Sequence, residues 1–312
     1  MTNPNFIFIG GTYRGFKLLE AVINLDYFPQ YIIILKEDNH EIEKYSEELS
    51  NLAIKYSIDF SVKKKLDSYD IEVIKSRIWD FAIVCGWRTI IPYNLDCCFK
   101  HGFIAAHDSL LPKYRGFSPL NWVIINGESE TGVTLFKISE GEVDSGDIIY
   151  QVKIPIEKDD YAIDLFKKIT QATIDVYLNF MQSLQKGEVI FHHQNEAEAT
   201  YTCKRSPNDG KIDWSKSSNE IYNFIRALAH PYPGAFCKFG DTTFHIRKAG
   251  FGKNNNKKYS GKITGKVLTI NKEYIEVMCN EGTINLYLWE DKSQKIIEIP
   301  SKSVVSITTV LK

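Results

Sequence analysis

The stretch Phe103–Trp122, FIAAHDSLLPKYRGFSPLNW, sets a histidine, His107, after a short apolar run and just before a Leu-Leu-Pro turn. A histidine can gain or lose its proton near neutral pH, so one at the end of a buried run is a candidate acid or base. Asp144 stands in a second candidate stretch, GEVDSGDIIYQ, a glycine-flanked loop entering another apolar run. A carboxylate held against an imidazole fixes its tautomer and raises its basicity, so the pair could run general acid–base chemistry. Each residue also has a plain structural reading. A lone histidine is more often a satisfied structural residue, and an aspartate in a D-x-G loop is usually a turn former. Ala105, two residues before His107, offers no polar atom where a partner would be sought.

Such a pair needs a rigid frame, and the chain supplies the pattern of one. NFIFIGG reads as a buried strand entering a glycine turn, RGFKLLEAVINL as a helix with Phe16, Leu19 and Ile23 on one face, and YIIILKE and FAIVCGW as further strands. IEVIKSRIWD reads as a helix between them. Continuous apolar strands alternating with amphipathic helices predict an α/β fold with a doubly wound, largely parallel sheet, and His107 at its mouth. TGVTLFKI and GDIIYQVKIPI add strands, and a long helix is expected from Ala162 to Leu184 with Leu165, Ile169, Val176, Phe180 and Leu184 inward. SSNEIYNFIRAL is a further helix whose Ser217 and Glu220 are spaced as a capping box. Its apolar face is Ile221, Phe224, Ile225 and Leu228.

Past HPYPGAF the texture changes to a polar loop, KNNNKKYSG, and then to short strands, KITGKVLTI, YIEVMC, TINLYLWE and SVVSITTVL. These predict a small, open β-barrel, giving a catalytic domain over 1–205 and a C-terminal domain over 206–312. The Gly10-Gly11 turn joins a strand to a helix and could offer its amides to a phosphate. GGTYRG lacks the full G-x-G-x-x-G spacing, and a bare turn is an equal reading.

The 312 residues, 44% hydrophobic and 25% charged, are those of an ordinary globular protein with room for two domains. The formal net charge of -1 argues against a surface built throughout to hold nucleic acid. No apolar run is long enough to cross a bilayer, the start MTNPNFIFIGG lacks a signal-peptide pattern, and the six cysteines form no C-x-x-C pair. A cytoplasmic protein with free thiols, Cys97 and Cys98 near a strand end, is expected.

HDSLLPKYRG followed by SEGEVDSGDIIYQ resembles the formyltransferases that use 10-formyltetrahydrofolate, a family that includes methionyl-tRNA formyltransferase, glycinamide ribonucleotide transformylase and the sugar-nucleotide N-formyltransferases. RSPNDGKIDWSKSSNEIYNFIRALAHPYPGAF resembles the junction of the two-domain members, which carry a small C-terminal β-barrel. The resemblance implies that an amine attacks a formyl carbon carried on folate, without a metal. His107 would stabilise the resulting oxyanion or take the amine proton, and Asp144 would orient the imidazole. It places the pterin against VCGWRTIIP, hence Trp87, Arg88, Thr89, Ile90 and Ile91, and against the loop of Gly141, Glu142 and Val143. The family has an asparagine, a donor to the formyl oxygen, where this chain has Ala105. Three explanations stand: a disabled form of such an enzyme, a natural member with altered chemistry, or a relative of the formyltetrahydrofolate hydrolases.

For the acceptor, KYRGFSPLNWVIINGE resembles the sugar-nucleotide enzymes. Trp122 and Asn121 would meet the sugar, and Gly11, Thr12, Arg14 and Arg115 would hold the diphosphate. Trp122 could equally be a packing residue at a helix start. The alternative acceptor is methionyl-tRNA, for which Lys253, Lys257, Lys258, Lys262 and Lys266 would offer a basic loop. A folate- or sugar-nucleotide-binding protein without turnover is the non-enzymatic alternative. The resemblance further implies a homodimer formed through the small domain and a place in making a surface polysaccharide.

Overall fold

β1 (Phe6–Gly10) is buried along its whole length, as a strand flanked on both faces must be. The protein is described here from a computed structural model covering residues 3–38, 41, 43–290, 296–297 and 306–312. After β1 come α1 (Thr12–Asn24), β2 (Tyr31–Leu35), α2 (Ser46–Lys55), β3 (Phe60–Lys63), α3 (Ser68–Lys75), β4 (Phe81–Cys85) and β5 (Phe103–His107). The two-residue β6 (Arg115–Gly116), α4 (Pro119–Ile125), β7 (Glu130–Lys137), β8 (Ile148–Pro155), α5 (Ala162–Lys186) and the two-residue β9 (Tyr201–Thr202) follow. The sheet runs β3-β2-β1-β4-β5-β7-β8. Its first five strands are parallel, and β7 lies antiparallel to β5 with His107 opposite Thr134. This is the doubly wound, largely parallel α/β sheet anticipated above.

Chain order reverses direction across the sheet between β1 and β4, and in open α/β sheets the carboxyl ends of the strands at such a switch point border the binding crevice. Tyr177 of α5, fully buried, donates its hydroxyl hydrogen to the carbonyls of Val84 (3.0 Å) and Ile104 (2.9 Å), tying β4 to β5 below their ends. Burial pushes its phenol well above the usual range.

The rest of the chain adds α6 (Ser218–Leu228), β10 (Ala235–Phe239), β11 (Thr242–Phe251), β12 (Val267–Ile270), β13 (Ile275–Met278), β14 (Thr283–Glu290) and β15 (Ile296–Ile297). Its strands form an antiparallel half-barrel in the order β10-β11-β14-β13-β12, with β15 beside β14. The capping box is present as read: Ser217 Oγ accepts from the Glu220 amide (3.2 Å) and Glu220 accepts from the Ser217 amide (2.9 Å). Ile221, Ile225 and Leu228 of α6 join Phe244, Ile246 and Trp289 in one core.

By compactness the chain divides into a unit of Met1–Arg115, Gly132–Ile154 and Lys168–Tyr201 and a unit of Gly116–Thr131, Pro155–Lys167 and Thr202–Lys312. Among the described residues no helix is long and apolar enough to cross a membrane.

Several local expectations need correction. The buried face of α1 is Leu18, Leu19, Val22 and Ile23, while Phe16 is half-buried and stacks on Tyr45. The helix read over IEVIKSRIWD begins earlier, behind a second capping box of Asp67 and Asp70, and stops at Lys75. Trp79 then turns back to donate its indole N–H to Ile74 O (2.8 Å). α2, with few apolar positions, was not anticipated. Leu184 is half-buried. Cys97 and Cys98 lie in a 3-10 turn, and all six cysteines are free. KITGKVLTI is strand only from Val267, because Lys266 closes a turn on Ile263. Of SVVSITTVL, residues 303–305 lie outside the described residues, and Ser306 begins a turn that leaves only an isolated bridge between Val310 and Lys266.

Candidate active site

Two loops meet at the crevice. The amide of Gly11 donates to Cys85 O (3.0 Å), and a Cβ at Gly10 would lie 2.1 Å from that same oxygen. Glycine at position 10 therefore answers a close approach of two backbones. Arg14, in the first turn of α1, pairs with Asp108 at 2.5 Å, both side chains largely covered. That contact ties the glycine turn to the residue following His107.

His107 is the last residue of β5 and is buried. Its Nε2 lies 2.7 Å from the carbonyl oxygen of Tyr114. A carbonyl only accepts, so Nε2 carries the hydrogen and the neutral ring presents the lone pair of Nδ1. Asp144 Oδ2 stands 3.4 Å from Nδ1, longer than an ordinary hydrogen bond. A proton arriving at Nδ1 would thus meet a carboxylate. The structure brings the two residues together although their motifs lie on different strands of the fold.

The S-L-L-P turn after His107 is built on polar groups inside the protein. Thr134 Oγ1 donates to Ser109 O (2.6 Å) and accepts from the Leu111 amide (3.0 Å) and Gln151 Nε2 (3.0 Å). Ser109 Oγ donates to Lys113 O (2.6 Å). Ser109 and Thr134 have no exposed surface, so these bonds leave none of those groups unsatisfied.

Asp144 itself has a left-handed backbone, φ 57°, which aspartate tolerates better than most residues. Two residues on, a Cβ at Gly146 would stand 1.7 Å from Lys137 O. Gly146→Ala would push the loop off β7, and a loss of about 3 kcal/mol in folding stability is expected from such overpacking. Urea denaturation would read that loss, and an unchanged midpoint would show that the loop yields freely.

The family model "Formyl transferase" matches residues 35–181, which hold His107 and Asp144. The model "Formyl transferase, C-terminal domain" matches residues 204–302. The chain belongs to the formyl transferase family.

A curated relative is the bifunctional polymyxin resistance protein ArnA of Wigglesworthia glossinidia brevipalpis, 31% identical over 300 residues, which are 93% of this chain and 43% of that protein. This formyl transferase chain thus spans less than half the length of that relative. Among solved structures it is similar in fold to an N-formyltransferase from Helicobacter canadensis in complex with folinic acid and dTDP-3-aminofucose (TM-score 0.69, 23% identity, 91% of this chain and 99% of that one). It is also similar in fold to methionyl-tRNA formyltransferase from Clostridium thermocellum (TM-score 0.56, 20% identity, 89% and 100% covered).

In this formyl transferase chain the loop after β4 carries Trp87 to Ile91. Trp87 and Ile91 pack partly on the core, and Ile90 is 95% exposed. The Trp87 indole N–H is buried with no hydrogen-bond partner among the described residues. Arg88 makes a two-pronged pair with Glu41, 2.5 and 2.6 Å, so its charge is balanced within the chain, and that pairing raises its pKa. On the loop before Asp144, Val143 is exposed and Glu142 accepts from Tyr201 OH (2.5 Å).

Arg115 departs from expectation. Read as a diphosphate ligand, it has no exposed surface, and its guanidinium is taken up by Gln194, Glu196 and Tyr201. Trp122 and Asn121 belong to the other unit. The Trp122 indole N–H donates to Cys203 O (3.0 Å), and Arg205 lies over its ring, 4.9 Å from the centroid. Asn121 is buried and donates to Ala227 O (2.7 Å), a packing contact. Of the five lysines, Lys262 and Lys266 donate to the carbonyls of Asn280 and Thr308.

Thr134, Gln151, Gln194, Thr200 and Tyr201 were not found by sequence reasoning. Thr134 alone left a signal, a polar residue inside the apolar run TGVTLFKI.

Proposed function

We propose that this chain is a cytoplasmic N-formyltransferase. It transfers the formyl group of 10-formyltetrahydrofolate to the amine of a nucleotide-linked amino sugar, and its turnover is lowered by Ala105. The observation that carries the reading is the approach of His107 Nδ1 to Asp144, 3.4 Å apart at the carboxyl end of β5, in a chain of the formyl transferase family. With Nε2–H committed to Tyr114 O, Nδ1 is the nitrogen open to take the proton an attacking amine must lose. Asp144 stabilises the charge the ring then carries.

The folate supplies the formyl carbon. The loop after β4 fits its ring: exposed Ile90 offers an apolar surface to cover, and Trp87 offers a buried donor in need of an acceptor. Arg14 and the Gly11-Thr12 turn are proposed to meet the acceptor's diphosphate at the start of α1. The amino-sugar acceptor is supported by the relatives, one a polymyxin resistance protein and one bound to dTDP-3-aminofucose. A role in making a surface polysaccharide and a dimer through the C-terminal domain belong to the same reading.

The test offers the protein, and its Ala105→Asn form, 10-formyltetrahydrofolate with a panel of nucleotide-linked 3-amino and 4-amino sugars and with methionyl-tRNA. Formamide on a sugar is the expected product. Formyl-methionyl-tRNA would replace the sugar by tRNA. Formate released with every acceptor idle would make the protein a hydrolase, and no product from either form would leave a binding protein.

A further inference from the structure

Gln194 sits in HHQNEAEAT, a stretch with no motif, yet every hydrogen-bonding position of its amide is used. Oε1 accepts from Arg115 Nε (3.1 Å) and Nη2 (2.8 Å). Nε2 donates to the carbonyls of Asp144 and Gly146, both at 2.7 Å. A primary amide has two donor hydrogens and two acceptor lone pairs. A guanidinium only donates and a carbonyl only accepts, so the amide can face just one way here. Arg115 is saturated in turn: its remaining N–H groups reach Glu196 Oε1 (2.7 Å) and Oε2 (2.8 Å) and Tyr201 OH (3.1 Å). The bond to Glu196 raises the arginine's pKa, keeping it charged. Arg115 has no exposed surface, whereas Glu196 is 62% exposed, so this anchor lies one side chain below the surface.

The same segment also holds the histidine's side of the site. Thr200 Oγ1 accepts from the Tyr114 amide and Thr200 O from the Arg115 amide, both at 2.8 Å. Tyr114 O is in turn the acceptor for His107 Nε2. Asp144 lies outside any strand ladder, on a loop whose internal bonds include Ser145 Oγ to Glu142 O (2.8 Å). The bonds from Gln194 fasten this loop on both sides of Ser145.

We propose that Gln194, locked by Arg115, is a positioning residue that sets Asp144 against His107, and that the segment 194–201 governs their separation. The proposal rests on the reading of His107 and Asp144 above. Gln194→Glu is the discriminating change. It keeps the side chain's shape and strengthens the pairing with Arg115, but it removes both donors and sets a carboxylate against two carbonyl oxygens.

On an Ala105→Asn background, Q194E is expected to lower kcat about 10–100-fold, the cost of a catalytic group misplaced by about 1 Å. KM for both substrates should stay within about threefold, since no substrate contact is removed. The nitrogen NMR signal of the His107 Nδ1 should move as it does in Asp144→Asn. An unchanged kcat with an unchanged His107 signal would overturn the proposal, as would a raised KM with kcat intact, which would assign Gln194 to a binding pocket. If the Ala105→Asn parent transfers no formyl group, the functional reading fails by itself, and the NMR comparison alone decides the positioning. Gln194→Met, which removes the donors without adding charge, gives the same readout should Q194E not fold.

Discussion

Ala105→Asn is expected to raise kcat for formyl transfer by about 10²–10³-fold, the usual worth of one oxyanion donor. The strand geometry is the reason. Residues two apart on a strand point to the same face, so a side chain at 105 extends on the side from which His107 reaches its partners. Ala105 is held in register between Val84 of β4 and Phe136 of β7, with strands on both sides. An amide there would be placed by a rigid frame rather than by a loop, the condition for a donor that needs no reorganisation during reaction. Alanine leaves that position without any donor, while the His107–Asp144 pair and its supports are intact. Initial rates at saturating folate and sugar would check it, with KM expected to change little because the gain belongs to the transition state. Steady formate release, unaltered by the substitution and with no transfer to an amine, would mean that Ala105 suits a water-accepting enzyme.

Asp144→Asn on the same background is expected to lower kcat by about 10²–10⁴-fold, the range general acid–base catalysis contributes, because it disables His107 as the base. Asparagine nearly matches aspartate in shape and shares its tolerance for the left-handed backbone that residue 144 adopts, so the loop should keep its course. What changes is the direction of the hydrogen bond. A carboxylate cannot donate, so it leaves the Nδ1 lone pair available. A carboxamide can donate to that lone pair, and it offers no negative charge to a proton once taken. Thermal melting within a few degrees of the parent, beside the loss of turnover, would separate this chemistry from misfolding. Turnover surviving in Asp144→Asn would remove the aspartate from the mechanism.

Much of the frame was legible because it is written in local periods. Continuous apolar runs marked β1, β2 and β4, the spacing of Leu165, Ile169, Val176 and Phe180 marked α5, and Ser217 with Glu220 marked the start of α6. Where the period was weak the reading failed. α2 has only Leu49 and Ala53 buried and passed unseen, and the helix ending at Lys75 was carried too far by the apolar Ile78 and Trp79. Ile78 is exposed, and Trp79 is buried by a turn that no helical period describes.

The sequence by itself determined that a histidine ends one buried strand, that an aspartate rides a glycine loop entering another, and that the two belong to a formyl transferase. It also determined β1, β2 and β4 and the capped start of α6, because burial periodicity and capping are set by neighbours in the chain. Only the tertiary structure decided which nitrogen of His107 is open, since Tyr114 O takes the other. Only there did Arg115 prove to be a buried anchor rather than a surface ligand, and Gln194 the link from that anchor to the loop of Asp144. It likewise assigned residues 116–131 and 155–167 to the second compact unit. The physical reason is common to all of these. A hydrogen bond between side chains far apart in sequence has no period and no local pattern, so it comes into being only when the sheet has brought its partners within about 3 Å.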